Sequence, residues 1–83
     1  MSKILVEVYL PAADKTYDVF LPLESKIYEV IQMLSSIMGD LAGGFFTASD
    51  DTVVCYRDTG AVLDINKSVY ELSLLNGSKL III

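Results

Sequence analysis

The chain has 83 residues, of which 53% are hydrophobic, and carries a formal net charge of −5 with a mean hydropathy of +0.52. That length sets one small domain over residues 1–83, which buries only about 60–65% of its unfolded surface, so part of the apolar excess is expected to face a partner protein or another copy of itself. The acidic balance, with its few lysines and Arg57 scattered along the chain, excludes a nucleic-acid backbone as ligand.

No apolar run approaches the roughly 18 residues a membrane span needs. Glu29 and Asp40 interrupt the longest candidate, so no direct membrane insertion is expected. The N-terminus lacks the basic region, apolar core and small-residue cleavage site of a secretory signal. A lone cysteine, Cys55, cannot form an intramolecular disulfide, which fits a reducing, cytoplasmic location.

In chain order, Lys3 to Leu10 alternates, with Ile4, Val6, Val8 and Leu10 on one side and Leu5, Glu7 and Tyr9 on the other, and predicts a strand. Pro11 to Lys15 is a turn. Thr16 to Leu21 alternates again, Tyr17, Val19 and Leu21 inward, Asp18 and Phe20 outward, completing an antiparallel hairpin. After Pro22-Leu23-Glu24, the stretch Ser25 to Met38 predicts the main helix. Ile27, Val30, Ile31, Leu34, Ile37 and Met38 share one face, and Lys26, Glu29, Gln32 and Ser36 fall largely on the other. Ser25 is the expected N-cap, with Tyr28 standing where a capping box wants Glu, and Gly39 is the expected stop.

Gly39 to Thr52 carries loop signals at Gly39-Asp40, Gly43-Gly44 and Asp50-Asp51, with Phe45 or Phe46 expected to cap the open end of the core. Val53 to Arg57 predicts a third strand, followed by the turn Asp58-Thr59-Gly60. Ala61 to Ile65 reads as a short strand or extended edge. Asn66 to Leu74 reads as a short helical turn with Val69, Leu72 and Leu74 inward. After the turn Asn76-Gly77, Lys79 to Ile83 is the last strand. Being apolar on both faces, it belongs in the middle of the sheet, beside the first strand. The fold class is therefore α+β, a mixed four- to five-stranded sheet crossed by one main helix.

That order resembles ubiquitin and its β-grasp relatives. Thr16 to Pro22 followed by Ile27, Val30 and Leu34 looks like ubiquitin's second strand and helix. Tyr56 to Leu63 with Gly60 resembles its third strand and following turn, and Ser68-Val69-Tyr70-Glu71-Leu72 resembles the segment before its last strand. Within the ubiquitin-like families the ending Leu74 to Ile82, with Asn76-Gly77 inside it, is similar to the YukD/EsaB type associated with bacterial type VII secretion. The resemblance implies a cytoplasmic accessory or regulatory protein that acts by contact and not by catalysis.

The residue chemistry agrees. Conjugation and sulfur-carrier chemistry need a flexible diglycine tail, whereas the sequence ends Leu80-Ile81-Ile82-Ile83 and its one Gly-Gly pair, Gly43-Gly44, is internal. A ferredoxin cluster needs four cysteine ligands, and Cys55 as a nucleophile would want a base in a chain without histidine. Asp50-Asp51 lacks the alternating oxygen ligands of a calcium loop and reads as a solvated turn. Asp18, Glu7 and Glu71 are scattered, with no general acid/base pair. Lys3 could serve a PB1-type pairing, but no acidic loop motif follows it. No catalytic residue, cofactor or metal site is expected.

What remains is a surface. Alternation puts Leu80, Ile82, Val54 and Tyr56 in the core and leaves Ile81, Ile83, Val53, Cys55 and Arg57 on the outer face of the sheet. These five are the candidate protein-binding residues, toward a secretion-system component. Ubiquitin binds partners through this face, but Arg57 falls where it has a key apolar residue, so ubiquitin's own partners are not expected. The alternatives are a self-associating structural domain of a larger assembly, as a homo-oligomer without a secretion role, or the Gly39–Thr52 loop folded over the isoleucines.

Overall fold

The computed structural model describes residues 2–41 and 51–83, with side chains described at 2–37 and 51–83. The expectations about Phe45, Phe46, Gly43-Gly44, Asp50, Met38 and a loop covering the isoleucines therefore lie outside the described residues. Strand β1 (Lys3–Leu10) and strand β2 (Lys15–Pro22) form an antiparallel hairpin in unbroken register from Lys3↔Pro22 to Leu10↔Lys15. Their connection is a 3-10 turn, Pro11–Ala13, closed by Asp14 in the left-handed region at φ 49. Helix α1 (Ile27–Leu41) follows, then strands β3 (Val54–Tyr56) and β4 (Lys79–Ile82). The sheet order is β2-β1-β4-β3, with β4 parallel to β1 and antiparallel to β3. The doubly apolar last strand is thus central, as its composition demands.

Alternation in β1 and β2 is realised residue by residue. Ile4, Val6, Val8, Leu10, Val19 and Leu21 are buried together with Leu80 and Ile82 of β4 and Val54 of β3. Ile27, Val30 and Leu34 of α1 enter the same core, each burial worth about 1.5–3 kcal/mol. A helix of 15 residues is marginal alone, so this apolar stripe is what holds it. Ile37 is exposed, contrary to expectation; the 3.6-residue period puts it roughly 70° off the centre of the stripe, at its rim.

Both ends of α1 differ from the sequence expectation. The helix starts at Ile27, not at a Ser25 cap, because Lys26 pairs with Ser68 as an isolated bridge and keeps the chain extended one residue longer. The capping carboxylate is consequently Glu29, whose Oε1 accepts the Lys26 N–H at 3.0 Å. Lys67 and Ile65 carbonyls accept the first two helical amides, Ile27 at 2.9 Å and Tyr28 at 3.2 Å. At the other end the helix runs through Gly39 to Leu41; one glycine costs only about 1 kcal/mol in a helix and does not have to stop it.

Ladder pairing at β3 extends beyond the strand proper: Val53 and Ile83 exchange backbone bonds at 2.9 and 3.0 Å, and the Arg57 N–H donates to the Lys79 carbonyl at 3.0 Å. Ala61 to Ile65 forms no full strand. It makes one bridge, Cys55↔Val62, and leaves Leu63 in the core, so the sheet has four strands among the described residues. Residues 68–74 form a single turn, with the Leu72 N–H on the Ser68 carbonyl and Ser73 at φ 56. Ser68 and Glu71 clasp that turn reciprocally, and Val69 and Leu74 are buried from it. The Asn76-Gly77 turn locks onto β1: the Asn76 Oδ1 accepts the Leu5 N–H at 2.8 Å, while the Gly77 N–H donates to the Leu5 carbonyl at 2.8 Å. Gly77 sits at φ 87, which a side chain would strain.

Candidate protein-binding surface on the outer sheet face

The register lays the outward side chains in rows across the sheet. One row runs Thr16, Tyr9, Ile81, Cys55, and the next runs Asp18, Glu7, Lys79, Arg57. Beyond the second row stand Phe20 and Leu5; beyond the first stand Ile83 and Val53. A charged band thus crosses the middle of the face, with apolar groups at both ends.

Arg57 is exposed but lies back along the sheet. Its guanidinium carbon lies 4.7 Å from the centre of the Tyr9 ring and its Nη1 is 3.9 Å from Glu7 Oε2, so the side chain reaches back across β4. The stacking contributes about 0.5–1 kcal/mol and the exposed ion pair less than about 1 kcal/mol. Tyr9 in turn donates its hydroxyl to Asp14 Oδ1 at 2.8 Å. That hydrogen bond, followed by desolvation and the Asp14 charge, raises the Tyr9 phenol above its ordinary value, with Arg57 opposing. At the opposite end, the Lys3 ammonium lies 4.7 Å from the Phe20 ring centre.

The five expected residues lie side by side on this face, but they are not equally accessible. Ile83 is 57% exposed and Arg57 is exposed, whereas Val53 and Ile81 are half-buried and Cys55 is only 3% exposed. Cys55 therefore supports the face from beneath and offers a partner nothing to touch. Phe20, at 56%, and Leu5 form a second apolar group. Alternation already placed Phe20, Leu5, Glu7 and Tyr9 on this side; what it could not give was that Arg57 would fold onto Tyr9 and Glu7, because that pairing depends on the parallel β1–β4 register.

The described residues bring no three histidine, cysteine, aspartate or glutamate side chains together around a point that could hold a metal. A hollow of about 580 Å³ between Tyr56, Asp58, Ser78 and Lys79 holds one acid and one amine but no nucleophile with a base. No helix among the described residues is long and apolar enough to cross a membrane.

No protein-family model matches the sequence, and no curated relative does. Solved structures match it along its whole length. The ubiquitin-like domain of the Mycobacterium tuberculosis type VII secretion system protein EccD1 is 20% identical with a TM-score of 0.68, covering 100% of this chain and 99% of that one. The EccD5 ubiquitin-like domain from Mycobacterium xenopi is 19% identical with a TM-score of 0.70, covering 100% and 94%. The N-terminal ubiquitin-like domain of the 4931431F19Rik protein is 20% identical with a TM-score of 0.75, covering 98% and 73%. With a mixed four-stranded sheet crossed by one α-helix among its described residues, the chain has the ubiquitin-like β-grasp fold and resembles the ubiquitin-like domains found in type VII secretion proteins.

Proposed function

We propose that this chain is a non-catalytic ubiquitin-like protein-binding module, working in the bacterial cytoplasm as an accessory or regulatory component of a type VII secretion system. The observation that carries the binding reading is the exposed Ile83 beside Val53 at the end of an outer sheet face whose other residues hold one another in place. An isolated exposed isoleucine needs no explanation, but here it continues an apolar run over Val53 and Ile81 that meets the charged row of Lys79 and the anchored Arg57, the arrangement of an apolar contact with a polar rim. The full-length likeness to EccD ubiquitin-like domains supplies the secretion context.

Ile83→Ser is the cleanest perturbation, since Ile81 is half-buried and its replacement also disturbs packing. Wild type and Ile83→Ser, both verified as folded by circular dichroism, are immobilised and exposed to lysate of the source bacterium. Captured proteins are then identified by mass spectrometry. Retention of a type VII secretion component by wild type and its loss with Ile83→Ser is the expected result. Equal retention by both moves the contact elsewhere. No specific retention, with a concentration-dependent dimer in sedimentation that Ile83→Ser abolishes, replaces this reading with self-association.

A further inference from the structure

We propose that the free edge of β2 is a second docking site, for an extended peptide strand that carries a lysine or arginine in register with Asp18. Leu5 and Glu7 of β1 direct their backbone groups toward β4, accepting from Gly77 at 2.8 Å and donating to Ser78 at 2.9 Å. Ladder groups alternate along a strand, so Ile4, Val6 and Val8 bond to β2, through their partners Leu21, Val19 and Tyr17. The N–H and C=O groups of Thr16, Asp18 and Phe20 are left facing outward. Among the described residues nothing pairs with them, and all three residues are exposed.

The opposite edge is closed differently. Along β3 the Tyr56 N–H donates to the Ala61 carbonyl and the Leu63 N–H to the Val54 carbonyl, so that edge is already occupied. β2 is 8 residues long, its register with β1 has no bulge, and its proline stands at the very end, so the device that guards the middle of this edge is a charge, Asp18. A row of three outward donors and acceptors on a flat strand is a template for strand addition.

Charge then selects the occupant. Asp18 lies directly opposite Glu7, and like charges in that position repel. Glu7 has Arg57 at 3.9 Å, but no cation among the described residues pairs with Asp18. An added strand with a basic side chain across from Asp18 relieves the repulsion, and an apolar side chain two residues along covers Phe20, which is 56% exposed. A second copy of β2 does not fit as well. Pairing about a two-fold axis at Asp18 sets carboxylate against carboxylate, and shifting the register either way sets Asp18 against Thr16 or Phe20 of the other copy, neither of which neutralises it.

The probe is the blocked peptide Thr-Val-Val-Val-Lys-Val-Thr, whose third, fifth and seventh residues face Phe20, Asp18 and Thr16 in an antiparallel addition. Its counterpart carries Glu for Lys. Binding is followed by nuclear magnetic resonance shifts of the protein amides, with hydrogen exchange measured first on the free protein. The expected result is fast exchange at Thr16, Asp18 and Phe20 and slow exchange at Tyr17, Val19 and Leu21. Lys-peptide shifts should centre on the first three residues, and the Glu peptide should bind roughly fivefold more weakly. In Asp18→Lys, an exposed substitution that leaves the core alone, the preference should invert. Protection of the three amides in the free monomer, protection that appears only as concentration rises, shifts centred on Ile81 and Ile83, or a preference that does not invert would each overturn the proposal. The first two would mean that the chain itself or a second copy occupies the edge.

Discussion

Ser68→Ala tests whether the segment after Asp64 acts as a clasp on the front of α1. Ser68 is 7% exposed; its Oγ accepts the Glu71 N–H at 3.0 Å, and its own N–H donates to Glu71 Oε1 at 2.9 Å. Alanine removes the first bond and spares the second. Glu71 is exposed, so water can reach the freed amide, which places the cost near the middle of the range for lost caps, about 1 kcal/mol. For a domain of this size that corresponds to a fall in Tm of roughly 4–8 °C, read by circular dichroism. The clasp makes a sharper prediction. The Ile27 and Tyr28 amides are held by the Lys67 and Ile65 carbonyls, so loosening the Ser68 turn should speed hydrogen exchange at those two helical amides more than at Val6 in the centre of β1. Tm within about 1 °C of wild type, or an equal acceleration at Ile27, Tyr28 and Val6, would refute the reasoning, because the turn would then contribute nothing local to the helix start.

The same turn gives a pH prediction. The Ser68 N–H, then its hydroxyl, then the Lys26 ammonium hold the Glu71 carboxyl below the ordinary carboxylate range. A depressed folded value means stabilisation that is present above the unfolded carboxyl value, about 4.3, and lost as pH falls through the folded one. The stability difference between wild type and Glu71→Gln, measured by urea unfolding, should therefore be constant near neutrality and shrink on acidification below about pH 4.5. Tyr17→Phe should be neutral or stabilising by up to about 1 kcal/mol in the same assay, since the Tyr17 hydroxyl is buried without a hydrogen-bond partner among the described residues; a loss of more than about 0.5 kcal/mol would show that the hydroxyl is bonded in solution. Asn76→Ala should cost about 0.5–1.5 kcal/mol, because it removes the acceptor for the Leu5 N–H while that exposed amide can still turn to water.

What could be read from the sequence was whatever repeats within a single element. Period-2 alternation gave the bounds of β1 and both faces of the hairpin; the doubly apolar ending gave β4 its central place; Gly60 and Gly77 marked turns that both adopt positive φ. The helix ends escaped because they depend on partners far along the chain. Ser25 is a good cap by composition, but the bridge between Lys26 and Ser68 moves the start of α1, and nothing near Ser25 announces a serine more than forty residues away. The candidate surface divides in the same way. Which side chains face outward followed from alternation, whereas the burial of Cys55, the half-burial of Ile81 and the return of Arg57 onto Tyr9 follow from the registers between strands.

Those registers also decide how the two proposed sites would communicate. In a strand the residues whose backbone points to the edge are spaced by two, and so are the side chains on one face; in β2 the two sets coincide at Thr16, Asp18 and Phe20. A strand added there sets its basic group at the end of the row Asp18, Glu7, Lys79, Arg57, while Ile83 stands two rows further along β4 from Lys79. Three strand spacings separate the added strand from β4, roughly 14 Å, the offset along β4 adds to this, and at about 14 Å two unit charges in water interact by only about 0.3 kcal/mol before screening. Physiological salt, with a Debye length of about 8 Å, reduces this to below roughly 0.1 kcal/mol. The edge and the isoleucine end should therefore bind their occupants independently: titrating the Lys peptide into the protein at 0.15 M salt should leave partner affinity at the Ile83 face unchanged within about 20%. A larger change would require the sheet to deform when β2 gains a neighbour, and would show first as amide shifts along β4, at Leu80 and Ile81, with no peptide near them.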